Sequence, residues 1–156
     1  MPDDSRAVLA QRLAFAIPAL LLGGAYLSQY AFGLYPCEMC WWQRYPHFAA
    51  LALVLLSAAA APRRLWIALA AVAIIVSGLI GGFHAGVEYG WWDGFTTCSA
   101  GSLGGGDPLD AIMNAPLIRC DEVQWSLAGI SLAGWNFLIS TIGCIAILAL
   151  VARKRA

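Results

Sequence analysis

Charge is scarce in this sequence. Lys, Arg, Asp and Glu together supply 12% of its 156 residues, against about a quarter in an ordinary soluble domain. Four stretches hold no charge of either sign: 13–37, 45–62, 65–87 and 123–152. Each is near or above the roughly 18–20 residues with which a helix crosses about 30 Å of hydrocarbon. These Leu-, Ala- and Ile-rich runs also lack strict polar–apolar alternation. That argues against barrel strands and leaves helices as the other way to satisfy a backbone in lipid. No basic patch exists outside the chain ends and one short turn, so nucleic acid is not an expected partner.

What is present predicts an all-α membrane protein, a four-transmembrane-helix bundle forming one integral membrane domain over residues 1–156. The helices are expected at about 13–30, 41–60, 65–83 and 132–152, with outer loops at about 31–40 and 87–131. Pro2, Asp3, Asp4 and Arg6 make a poor start for a removable signal peptide, so the first run is read as a retained helix. Arg6, Arg12, Arg63, Arg64, Arg153, Lys154 and Arg155 all fall on one side of such a bundle, with only Arg44 and Arg119 on the other. The positive-inside rule then places both termini in the cytoplasm and both loops outside. Trp41, Trp42, Trp91, Trp92, Trp125 and Trp135 gather near the outer ends, where indole rings anchor helices at the headgroups. Gly23-Gly24 and the Ser77–Gly82 stretch SGLIGG offer small residues for close helix packing. In the second loop, Asp107-Pro108 reads as an N-cap with proline at the first helical position, followed by Leu109, Ile112, Met113 and Leu117. A short amphipathic helix on the outer membrane surface is expected there.

The cysteines carry the chemistry. Cys144 lies mid-helix in an apolar run and is expected to be an inert small hydrophobe. Cys37, Cys40, Cys98 and Cys120 fall on the outer side, where disulfides persist. Three connectivities are open; nearness along the chain favours Cys37–Cys40 and Cys98–Cys120. The second bridge could be a static staple for a long loop. The first would constrain little, and C-x-x-C is an arrangement suited to thiol–disulfide exchange, in which one thiol attacks and the other resolves. The pairs are not spaced as two zinc knuckles, so no metal is expected.

If the second helix starts near Cys37, then Cys37, Cys40, Arg44 and His47 share one face. Cys40 would sit close to a helix N-terminus and a fixed positive charge, both of which favour a thiolate. An arginine at membrane depth is costly and is a functional candidate by default, the alternative being that it snorkels to anionic headgroups.

The stretch PCEMCWWQR, with the later cysteines Cys98 and Cys120, resembles the disulfide bond formation protein B (DsbB) family. RCDEVQWSLAGISLAGWN, Arg119 to Asn136, is similar to that family's passage from its last redox cysteine into the fourth helix. The resemblance covers nearly the whole chain. It implies a bacterial inner-membrane enzyme with periplasmic redox loops, which re-oxidises a DsbA-like periplasmic thiol oxidase and passes the electrons to membrane quinone, ubiquinone or menaquinone. It implies that Cys98 is attacked by the partner, that Cys120 exchanges with Cys37, and that Cys40 is released facing the quinone. Arg44 matches the family arginine beside the quinone, and His84 matches a family histidine near it.

Other readings differ in what they predict. A DsbB-like paralogue would serve a dedicated partner. A vitamin K epoxide reductase-like enzyme would carry its quinone-side C-x-x-C near a later helix. In a non-catalytic membrane scaffold, both disulfides would be structural.

Overall fold

A computed structural model describes residues 3–96, 98 and 118–152. The chain forms α1 (Asp3–Ala31), α2 (Glu38–Ala59), α3 (Arg63–Glu88), a hairpin of β1 (Ser126–Leu127) and β2 (Ile130–Ser131), and α4 (Leu132–Ala152). Among the described residues, three segments are long and apolar enough to cross a membrane: Ser5–Ala31 of α1, then α3 and α4. α2 has 22 residues and falls outside that set, because Gln43, Arg44 and His47 make its outer half polar. The surface helix expected around Asp107–Leu117 lies outside the described residues, as do Arg153, Lys154 and Arg155.

Two helices extend beyond their expected ends. α1 starts at Asp3 and not near 13, and Ala7 and Ala10 are already buried in its first turns. α3 continues past 83 to Glu88 because His84, Ala85, Gly86 and Val87 pack inward beneath the outer loops. α2 begins at Glu38, inside the expected loop, where the Cys37 side chain caps it by accepting the Cys40 backbone N–H. An acidic residue in that first turn, Glu38, suits the positive end of the helix dipole.

α3 lies against both α2 and α4, and α1 closes the bundle against α4 and α2. The inner half of the core is made of small and branched side chains: Ala10 and Ala14, Ala50 and Val54, Ile67, Ala70, Ala71 and Ile74, and Cys144 and Ile147. Cys144 is therefore a packing residue. The SGLIGG glycines set the close approach of α3 to α4. A Cβ on Gly78 would come within 2.8 Å of Ser140 Cβ, and one on Gly81 within 2.8 Å of the Ala133 carbonyl. Gly23 and Gly24 do not act this way. Both are exposed, with nothing among the described residues within 4 Å of an added Cβ. Their absent side chains leave open space along α1 where a helix contact was expected.

The hairpin was not expected from the sequence. Leu127 pairs with Ile130 across Ala128 and Gly129, which both adopt positive φ, 52° and 76°, as a type I′ turn requires. The Tyr89 hydroxyl clamps it to the end of α3, donating to the Gly129 carbonyl at 3.2 Å and accepting from the Ser131 N–H at 2.8 Å. Gln124 ties the two outer loops together through its bond to the Tyr35 carbonyl, 3.1 Å.

Candidate redox site

The four outer cysteines converge at the outer end of the bundle. Cys37, Cys98 and Cys120 are buried in one cluster with Met39 and Val87, and Cys40 packs against it. Cys98 and Cys120 are joined in a disulfide with a Cα–Cα separation of 5.3 Å, and the Cys120 N–H donates to the Cys98 carbonyl at 2.8 Å. Thr96 stands beside this bond, its hydroxyl 3.0 Å from Cys98 Sγ. Cys37 and Cys40 are free thiols, where nearness along the chain favoured a bridge. They sit three residues apart on the first turn of α2, and the Cys37 thiol donates to Cys40 Sγ at 2.8 Å. That hydrogen bond, together with burial, holds the Cys37 thiol above the usual thiol range, so the shared proton rests on Cys37.

Cys37 also faces the other pair. Cys37 Sγ, the His84 ring and Cys120 Sγ all lie within 4.8 Å of one another. With Cys120 bonded to Cys98, this cluster brings a thiol up to a disulfide sulfur. His84 Nε2 is 3.1 Å from the Cys120 carbonyl, 3.6 Å from Cys37 Sγ and 3.7 Å from Glu88 Oε1. The family resemblance implied a place near a quinone for His84; its position here puts it between the two cysteine pairs.

Arg44 is 6% exposed and points toward α1. It donates to Gln29 Oε1 at 2.8 Å and to the Ala25 carbonyl at 3.3 Å. Its guanidinium stacks between Tyr26 and Trp41, 4.8 Å from each ring centroid. A buried cation needs such partners. Trp41 therefore does more than anchor a helix end, the role expected for most of these tryptophans.

Sequence reasoning passed over a network of uncharged polar groups. Gln43 Nε2 donates to the Met39 carbonyl at 3.1 Å and to His84 Nδ1 at 2.9 Å. Asn136 Nδ2 donates to Gln43 Oε1 at 2.9 Å and to the Ser77 carbonyl at 3.2 Å. The Asn136 Oδ1 in turn accepts from His47 Nε2 and from the Ser140 hydroxyl, each at 3.0 Å. Gln29, Gln43, Ser77 and Asn136 carry one signal in the sequence: each is an uncharged polar residue inside a run or face otherwise read as apolar.

Beside these groups is a cavity of about 210 Å³, lined by Leu20, Leu21 and Gly24 of α1 and by Cys40, Arg44 and His47 of α2, among others. One wall is therefore apolar, and the other carries a thiol, a cation and an imidazole. That combination suits a flat, apolar molecule with a few polar oxygens.

The chain matches the family model described as Disulfide bond formation protein DsbB over residues 7–151. Relatives named Disulfide bond formation protein B include one from Verminephrobacter eiseniae, 34% identical, covering 95% of this chain and 86% of the relative. Another, from Aromatoleum aromaticum, is 31% identical and covers 90% of each. A third, from Polaromonas sp., is 32% identical over 96% of this chain and 94% of its own. No solved structure matches the chain at the same level of significance. With the family model spanning all four helices, this chain is a member of the DsbB family of membrane proteins.

Proposed function

We propose that the protein is a four-crossing inner-membrane thiol oxidase, with cytoplasmic termini and periplasmic redox loops, that takes electrons from a DsbA-like dithiol partner and delivers them to membrane quinone. The observation that carries this reading is the placement of the Cys37 thiol within 4.8 Å of the Cys120 sulfur, on the helix turn that also presents Cys40 to the cavity.

The steps balance as thiol–disulfide exchange. A partner thiolate attacks Cys98, breaking its bond to Cys120 and releasing the Cys120 thiolate. The partner's second thiol closes its own disulfide and releases Cys98, so two electrons and two protons now reside on Cys98 and Cys120. When Cys37 and Cys40 are bridged, Cys120 attacks Cys37 and releases Cys40. Cys98 then attacks the Cys37–Cys120 bond, re-forming Cys98–Cys120 and leaving Cys37 and Cys40 as thiols. The structure has this last arrangement. Re-closing the Cys37–Cys40 bond gives up two electrons and two protons, which a quinone takes up when bound.

The residues around the cavity fit such a molecule. Arg44 supplies a buried, fixed cation for charge that develops on an oxygen. Gly24 has nothing among the described residues within 4 Å of an added Cβ and leaves room beside it. His84 holds the Cys120 carbonyl and faces Cys37, keeping the exchanging sulfurs in register.

Reconstitution with a benzoquinone and the reduced partner, following quinone reduction by absorbance, tests the proposal. Wild type turns over, and Cys37→Ser, Cys40→Ser, Cys98→Ser and Cys120→Ser each stop it. Unimpaired turnover in Cys40→Ser would reject the mechanism.

A further inference from the structure

His47 has no part in the scheme above, yet it is 3% exposed and lines the cavity with Cys40 and Arg44. Its protonation pattern is dictated by its surroundings. The Met39 and Ser77 carbonyls can only accept, so Gln43 must turn Nε2 toward Met39 and Asn136 must turn Nδ2 toward Ser77. This leaves Asn136 Oδ1 as the group that faces His47, and Oδ1 can only accept. The proton of the neutral ring is therefore on Nε2, which donates to Asn136 at 3.0 Å. Nδ1 is left with a lone pair, buried and without a hydrogen-bond partner among the described residues. A buried acceptor with nothing to accept costs free energy unless a ligand or water supplies a donor.

The two forms of a quinone differ in what they offer such a group. The oxidised form has carbonyl oxygens, which only accept and meet the lone pair unfavourably. The reduced form has hydroxyls, which donate. Arg44, one helical turn away on the same face, has the opposite character, since a guanidinium only donates.

We propose that His47, held in the Nε2–H tautomer by Asn136, is a binding residue that accepts a hydrogen bond from a hydroxyl of the reduced quinone, so that the cavity favours hydroquinone over quinone. The inference rests on the quinone reading given above and extends it to a residue outside the cysteine–arginine set. Its functional meaning is thermodynamic. Tighter binding of the reduced form makes the bound acceptor more oxidising and draws electrons out of Cys37 and Cys40. A tenfold preference corresponds to about 30 mV for a two-electron couple.

The test is made on the full-length protein in detergent with a decyl-substituted benzoquinone and its hydroquinone, using quenching of tryptophan fluorescence to obtain both dissociation constants. His47→Phe is expected to weaken hydroquinone binding about tenfold, the loss of one hydrogen bond of about 1.4 kcal/mol, and to change quinone binding less than twofold. A second measurement leaves His47 itself intact. The chain has two histidines, so ¹⁵N-histidine labelling gives two rings, and His84→Phe assigns them. Hydroquinone is expected to shift the His47 Nδ1 resonance, whereas quinone leaves it in place. Equal loss of both ligands in His47→Phe, or a His47 ring that responds to neither form while wild type binds both, overturns the role of His47 and leaves the oxidase reading intact. Failure of wild type to bind either form overturns both.

Discussion

The Sγ atoms of Cys37 and Cys120 lie within 4.8 Å of one another, although one caps a helix and the other belongs to a disulfide between distant segments of the second outer loop. Only a modest approach separates this from bond-forming distance. In a Cys40→Ser, Cys98→Ser double variant, where both native partners are gone, Cys37 and Cys120 are expected to join under mild oxidation. Non-reducing peptide mass mapping should find that cross-link as the dominant species. A predominance of free thiols would show that the two pairs do not communicate directly.

Cys37 keeps its proton because its thiol donates to Cys40 and because it is buried. Deprotonation, and with it alkylation, should begin only at a pH above the usual thiol range. Removing the acceptor in Cys40→Ala takes away the larger cause, so half-maximal labelling of Cys37 by iodoacetamide should move to lower pH. Burial remains, so a full return to the range of an exposed thiol is not expected. Labelling rates measured across pH with Cys98–Cys120 intact check this, and an upward shift would contradict the assignment.

Arg44 holds α1 through Gln29 and Ala25 and is sandwiched by Tyr26 and Trp41. Hydrogen bonds to a charged group are worth about 1.5–3 kcal/mol, so Arg44→Ala should raise the apparent KM for quinone about 10- to 100-fold while changing that for the dithiol partner far less. Steady-state kinetics varying each substrate in turn separate the two. A larger effect on the partner side would reassign the residue. Arg44→Lys should rescue only partly, because an ammonium cannot reproduce the planar fork or the stacking.

Close packing of α3 on α4 leaves no room at Gly81, where an added Cβ would meet the Ala133 carbonyl at 2.8 Å and the Asn136 and Gln43 side chains at 3.0 Å. Gly81→Ala should cost about 1–3 kcal/mol and disturb the amide network as well. Gly23→Ala, in open space, should be close to neutral. Thermal unfolding in detergent, with both variants measured beside wild type, provides the comparison.

The helices could be read from the sequence because charge marks where hydrocarbon ends. The same signal misplaced the start of α1, since Ala7 and Ala10 are buried by neighbouring protein outside any charge-free run, whereas α3 ends at Glu88, the charge that closes the run 65–87. The shared face of Cys40, Arg44 and His47 follows from helical periodicity alone. What joins that face to α3 and α4 does not. Gln43, Ser77 and Asn136 look like isolated polar residues until three helices pack, and their partners lie on other elements. Gly23 and Gly24 were misjudged for a related reason: a small residue can serve close approach or leave a gap, and only the neighbour decides which. The hairpin turn at Ala128-Gly129 puts an alanine at a positive φ that it rarely adopts, so its local sequence gave little warning.

The outer loops are pinned where Cys120 sits. Gln124 reaches across to the Tyr35 carbonyl, and Tyr89 fastens the hairpin that follows. Opening the Cys98–Cys120 bond would leave both ties in place, so Cys120 would still stand next to Cys37. The proposed internal exchange would then be a first-order event whose rate is set within the molecule, with the two sulfurs held at high effective concentration. Raising the amount of partner should speed the first transfer until this internal step becomes limiting. Turnover should then reach a ceiling that is the same for every thiol donor able to react with Cys98.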